Sequence, residues 1–152
     1  MTPELAFQLG SIAAIVAWLL LATGGFVSNS GSHRLLLLVG GRIVPLILAL
    51  GYIVLLITYW KSAPDGNFGS LDGIARLFSS RGKLAGGWLH FLAFDLFVGR
   101  WVIDEVLQTQ RPRWLLLPAL PLIFLYGPAG LLTYFALRAL SDFVVAKHRQ
   151  HS

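Results

Sequence analysis

The sequence predicts an all-α polytopic membrane protein: four transmembrane helices in one bundle, with a short interfacial helix in the 61–85 loop. Three observations predict it. Of the 152 residues, 56% are hydrophobic and 12% are charged, about half the charged share of a soluble domain. The apolar residues stand in long blocks instead of alternating with polar ones. Each block holds about the 20 helical residues that cross roughly 30 Å of hydrocarbon. The expectation is a single membrane domain, 1–152, with spans at approximately 5–26, 35–60, 86–107 and 114–140.

Cysteine is absent, which removes disulfides, thiolate metal ligands and cysteine nucleophiles. The net charge of +5 sits beside apolar blocks. There Lys and Arg anchor headgroups and set topology, so membrane lipid is the expected partner. No nucleic-acid motif accompanies the charge.

The first span, Leu5 to Phe26, carries no charge, and no basic residue precedes it. It reads as a retained helix and not as a cleaved signal. Gly24, Gly25, Ser28, Asn29, Ser30, Gly31 and Ser32 follow as a breaker-rich loop. The second span, Leu35 to Trp60, contains Arg42 and Pro45 and ends in the belt-type aromatics Tyr59 and Trp60. In the loop beyond, Ser70 is placed to cap a helix beginning at Leu71, with Asp72 in its first turn. Leu71, Ile74, Ala75 and Phe78 share a face at helical spacing, as in a helix lying among headgroups, with a solvated loop as the equal alternative.

The third and fourth spans are joined by only Gln108 to Arg113, which makes them antiparallel neighbours. Four spans put both termini and the 61–85 loop on one side, with Lys61, Arg76, Arg81, Lys83, Arg138, Lys147 and Arg149. Arg34, Arg111 and Arg113 lie opposite. The excess of basic residues places both termini in the cytoplasm.

The third span carries the chemistry. It holds His90, Asp95, Arg100, Asp104 and Glu105. An ionisable group near the bilayer centre costs several kcal/mol unless paired or hydrated, so such residues are functional candidates, while Asp104 and Glu105 reach the interface and demand less explanation. Asp95 is the deepest. Arg100 and Asp104 are four apart and can pair along the helix, an ordinary stabilising arrangement. On a straight helix, His90 and Arg100 each lie about 140° around from Asp95 and cannot meet it directly. Its partner is expected from another helix, with Arg42 and Tyr126 available, or from water or substrate. The candidate catalytic residues are Asp95, His90 and Arg100. The candidate binding residues are Trp88, Phe97 and Trp101 on the third span and Tyr126, Gly127 and Pro128 on the fourth. In the fourth span Pro118, Pro121 and Pro128 interrupt the helix ladder, and a kink at Pro128 beside Asp95 is a place for a cavity. No cofactor is expected. A metal site is not expected either, since His33, His148 and His151 lie outside the spans and His90 stands alone.

The run from Gly86 to Trp101, with His90, Asp95, Gly99 and Arg100 at fixed spacing inside one apolar helix, resembles the signature of the abscisic-acid-deficient-four-like membrane family. So do the Trp114–Pro118 segment and the Tyr126-Gly127-Pro128-Ala129-Gly130 motif, with a lead-in at Gly69–Gly73. Phe91 stands where a tyrosine is expected, and Ala119 where a cysteine is expected. The resemblance implies a four-helix membrane protein associated with carotenoids. Plastid members are tied to neoxanthin synthesis, in which an epoxide opens to an allene with no net oxidation. With its first span opening at Leu5, the chain reads as a bacterial-type member of the cell membrane.

Two functional classes follow. In the first, the protein is a carotenoid or polyene isomerase. Epoxide opening needs a proton donor at the oxygen and a base at the neighbouring carbon. A carboxyl held in hydrocarbon keeps its proton readily, so Asp95 is assigned as acid or base, His90 as its opposite and Arg100 as oxyanion support. In the second, it is a non-catalytic carotenoid- or lipid-binding subunit of a membrane complex or homo-oligomer, with Asp95 and Arg100 as interhelical glue. A pore is the weaker third.

Overall fold

The computed structural model describes residues 2–27 and 31–150, with side chains through residue 143. Ser28, Asn29 and Ser30 of the expected first loop, and the side chains of Lys147, His148 and Arg149, fall outside the described residues, as does His151. The described residues form helices and short turns, without a strand among them.

Helix α1 spans Pro3–Phe26. Thr2 caps it by accepting from the Leu5 N–H at 3.3 Å, with Pro3 at its start and Glu4 in its first turn. Its two faces are both apolar, and their sizes are inverted relative to a soluble helix. Ala6, Gly10, Ala14, Ala17, Gly24 and Gly25 face inward around Trp18 and Leu21, while Leu9, Ile12, Val16 and Leu19 point outward. Small residues inside let backbones approach, and large residues outside suit a hydrocarbon solvent.

The next passage is continuous from Gly31 to Thr58. It comprises α2 (Gly31–Leu38), one π-helical turn (Val39–Ile43) and α3 (Val44–Thr58). The wide turn has a local cause. Pro45 lacks an N–H and its ring crowds the preceding turn, and a π turn relieves both. Gly40 sits in that turn against the α1 backbone, where a Cβ would stand 2.7 Å from the Ala17 carbonyl oxygen. Among the described residues, Pro3–Phe26 and Gly31–Thr58 are the two helical segments long and apolar enough to cross a membrane.

Helix α4, Leu71–Ser79, is capped by Ser70, whose hydroxyl accepts from the Gly73 N–H at 3.0 Å. Helix α5, Arg81–Gln108, has 28 residues, about 42 Å of rise. It packs on α1 and α3 and forms the axis of the bundle. Its buried face runs through Leu89, Ala93, Leu96, Val102, Ile103 and Val106.

The segment expected to be a fourth span over 114–140 is corrected by the structure. A 3₁₀ turn at Arg113–Leu115 leads into α6, Leu116–Tyr126, which ends at Gly127. Helix α7, Pro128–Gln150, then runs back alongside α6. Gly127 has φ +46°, a conformation open to glycine at little steric cost, and Pro128 starts the return helix where its missing N–H costs nothing. The hairpin is clamped at its open end. Arg111 donates to both carboxylate oxygens of Asp142, at 2.6 and 3.1 Å, and Arg138 pairs with Glu105. Proline here does not kink a span but helps turn the chain around.

Two expectations change with it. In place of four spans stand three long helical segments and a hairpin whose 11-residue first arm rises only about 16 Å. The termini no longer share a side: Glu4 pairs with Arg81 at the start of α5, and Asp142 with Arg111 just beyond its end. Arg138 therefore groups with Arg34, Arg111 and Arg113, and α7 carries positions 147 and 149 to the same end, so the basic residues no longer gather with Lys61, Arg76, Arg81 and Lys83. That removes the basis for placing both termini in the cytoplasm.

Candidate functional site

Four positions on α5 meet the tip of the hairpin. Phe91, Phe94, Asp95 and Val98 lie at 3- and 4-residue spacing, which brings them onto one side of a helix. Gly127, Pro128 and Leu131 close over them, and His90 completes a cavity of about 280 Å³. His90 and Asp95 thus line one cavity, with no bond between their side chains. The cavity wall is otherwise apolar.

Asp95 is half-buried. Its nearest feature on the hairpin is backbone: a Cβ on Gly127 would stand 2.7 Å from Asp95 Oδ1. Among the described residues, no hydrogen bond or ion pair reaches either Asp95 or His90. The expected partners are absent from it. Arg42 is exposed on the π turn, and Tyr126 points outward, 66% exposed. His90 is held by rings instead, with Phe94 at 4.6 Å and Tyr52 of α3 at 5.6 Å between centroids.

Arg100 is not brought to this cavity. Its stem covers Gly41 of the π turn, and its Nε donates to Asp104 Oδ2 at 2.7 Å, the pair expected from their spacing. Trp88 turns toward α1, where its indole N–H donates to Ser11 Oγ at 3.0 Å and its ring meets Phe7. Phe97 is exposed outside the cavity, and Trp101 packs on Tyr134 and Phe135 of α7. Of the nine residues singled out from sequence, His90, Asp95, Gly127 and Pro128 line one cavity.

Sequence reasoning missed the rest of the wall and the hairpin's polar clamp. Phe91, Phe94 and Val98 carried a usable signal, the helical spacing they share with Asp95. Tyr134 carried none. It is fully buried, and its hydroxyl lies near Glu105 without meeting hydrogen-bond geometry.

The ABA DEFICIENT 4-like family model matches residues 5–134. The chain belongs to that family. The match includes α1, the π turn, the His90–Asp95 cavity and the Gly127–Pro128 tip, and stops short of Arg138 and Asp142. A curated relative, "Protein ABA DEFICIENT 4, chloroplastic" of Arabidopsis thaliana, is 36% identical over 70 residues. That alignment covers 46% of this chain and 30% of the relative, so less than a third of the longer protein is matched. No solved structure matches the chain.

Proposed function

We propose that this member of the ABA DEFICIENT 4-like family is an integral membrane protein that rearranges a carotenoid-like polyene without net oxidation, in the cavity between α5 and the hairpin tip. The carrying observation is that His90 and Asp95, both without polar partners among the described residues, edge a single apolar cavity. Unpaired ionisable groups in such surroundings are costly, which favours a role with a ligand over a role in folding.

The membrane reading rests on the inverted faces of α1, with large aliphatic side chains outward and small ones inward. In it, α1, the Gly31–Thr58 helix and α5 cross the bilayer. The α6–α7 hairpin enters and leaves on one side, its tip near mid-depth. Non-helical backbone at that depth is tolerated because Gly127 is covered by protein.

For an epoxide-bearing polyene the bookkeeping of atoms is simple. Asp95 protonates the epoxide oxygen and that C–O bond breaks. His90 removes a proton from a neighbouring carbon, and the electron pair left behind forms the new double bond. One proton is added and one removed, so the product is an isomer of the substrate. The two residues are five positions apart, about 7 Å of axial rise, so they touch the end group of an elongated ligand at two places.

The test is expression in a host that accumulates epoxide-bearing carotenoids, beside Asp95→Asn, with pigments compared by chromatography and mass. A new carotenoid of unchanged mass is expected with the wild type alone. An unchanged pigment profile, with pigment retained on the purified protein, would make it a binding subunit instead.

A further inference from the structure

We propose that the larger cavity beneath α4 seats an anionic membrane lipid, with the headgroup on Lys61 and Lys83 and an acyl chain running down to Phe91. The cavity measures about 760 Å³, and its walls come from α3, α5 and the 60–68 connection under α4. The interior is apolar, with Leu56, Leu77, Phe78 and Phe91 among its walls, and it is continuous in lining with the reaction cavity through His90 and Phe91. Lys61, Lys83 and Asn67 contribute at the end beside α4, Tyr52 and His90 lie farther along α3 and α5, and no Asp or Glu lines it. Among the described residues neither lysine has an ion-pair partner. An apolar interior opening on two uncompensated cations is complementary to an amphiphile with a negative head.

The roof is built. Phe78 packs against Gly87 of α5, where a Cβ would stand 2.7 Å from its ring, and Leu77 covers Gly66 in the same way. The Asn67 N–H donates to the Gly73 carbonyl at 3.2 Å, and the Ser62 and Ser80 hydroxyls share a hydrogen bond. These contacts fold the connection into a cap over the cavity. Trp60 (65%) and Phe68 (84%) line the cavity and are exposed at its mouth, with Leu71 (82%) exposed beside them, as aromatic and apolar side chains are where a protein meets headgroups. The site therefore opens where a phospholipid would enter. The inference is independent of the proposed reaction: it uses the lysines and the roof, and Asp95 plays no part in it.

The experiment is native mass spectrometry of the detergent-purified full chain, titrated with phosphatidylglycerol or with phosphatidylcholine of identical acyl chains. Preferential retention of phosphatidylglycerol is expected. Lys61→Gln/Lys83→Gln should reduce that preference by about 30-fold, from about fivefold per lysine near an anionic headgroup. Arg76→Gln, a charge removed from the neighbouring α4 outside the cavity, should leave it unchanged. Leu56→Trp, or Ala63→Phe should the first not fold, fills the cavity and should abolish retention of either lipid. Equal retention of the two lipids overturns the proposal. So does a preference that survives the double lysine variant, which would trace to general surface charge. Retention that survives both filling variants would place the lipid on the outer surface and overturn it as well. Inorganic phosphate alone protecting against heat as well as the phospholipid would reduce the site to an anion site without a chain.

Discussion

Gly127 lies directly against the Asp95 carboxylate, its Cα hydrogen standing where a Cβ would come within 2.7 Å of Oδ1. The positive φ of 46° at this residue turns the chain from α6 into α7. Two constraints therefore meet at one position, and Gly127→Ala violates both. This positive-φ conformation is sparsely open to a side chain and alone costs about 1–3 kcal/mol, and the contact with Asp95 adds to it. The double variant with Asp95→Ala should recover the contact part and leave the backbone part. A thermal-melt cycle over the four proteins checks this. Additive effects, with no coupling between the two sites, would mean that Asp95 and the tip are not in contact.

Asp95→Asn preserves shape and removes the titratable proton. Because Asp95 has no ion-pair partner among the described residues, no buried cation is left stranded by the change. Melting temperature in detergent should be unchanged or higher, while turnover falls by about 10²–10⁴, the usual contribution of a positioned acid or base. A large loss of stability without a ligand present would assign Asp95 to the fold and not to chemistry.

How much of this was legible in the sequence follows from what sets each feature. The apolar blocks marked the helices because length and hydropathy act locally, and Ser70 announced α4 because a cap is a three-residue interaction. The Arg100–Asp104 pair followed from one turn of helix. The direction of α7 did not follow, because an apolar stretch over 114–140 reads the same whether it crosses or doubles back. The decisive cue was Gly127-Pro128, which a helix can absorb as a kink or a chain can use to reverse. The clamps that settle the choice join residues 31 and 33 positions apart, beyond the reach of any local pattern. The same reversal brought the tip over Asp95, while Trp88 and Arg100 face α1 and the π turn and Phe97 stays exposed.

The clamp makes its own prediction. Glu105 and Arg138 are largely covered, with side chains 16% and 33% exposed. Arg138→Leu leaves the Glu105 carboxylate without its cation and should cost about 2–3 kcal/mol, somewhat less than a fully buried pair. Replacing both, Glu105→Leu/Arg138→Leu, should restore most of that loss. Thermal melts of the two variants check it, and a double variant as unstable as the single would assign the loss to packing.

The outer pair responds to acid. The hydrogen bonds from Arg111 hold the Asp142 carboxyl below its ordinary value of 3.8. A depressed carboxylate contributes its stabilisation above the unfolded value and loses it as pH falls through the folded one. The end of α7 should therefore stay docked from neutral pH down to about 4 and loosen only below that. Spin labels at positions 110 and 143 report it: their distance distribution should hold across the upper range and broaden only in stronger acid. Broadening already near pH 6 would trace the docking to a different titrating group.

The hairpin itself can be tested with unusual economy, because the chain contains no cysteine. Single cysteines at Thr2 and Asn67 mark one end of the bundle, and those at Gln110 and Phe143 mark the other. In sealed vesicles, a membrane-impermeant thiol reagent should label positions 110 and 143 from the same side, and positions 2 and 67 from the opposite side. A continuous fourth span would instead group 143 with 2 and 67, since one more crossing returns the chain to its starting side. The contrast depends on position 143 alone, so the three other sites calibrate vesicle orientation in the same experiment. Labelling of 143 with 67 would dissolve the hairpin, and with it the closure of Gly127 and Pro128 over Asp95 on which the proposed reaction depends.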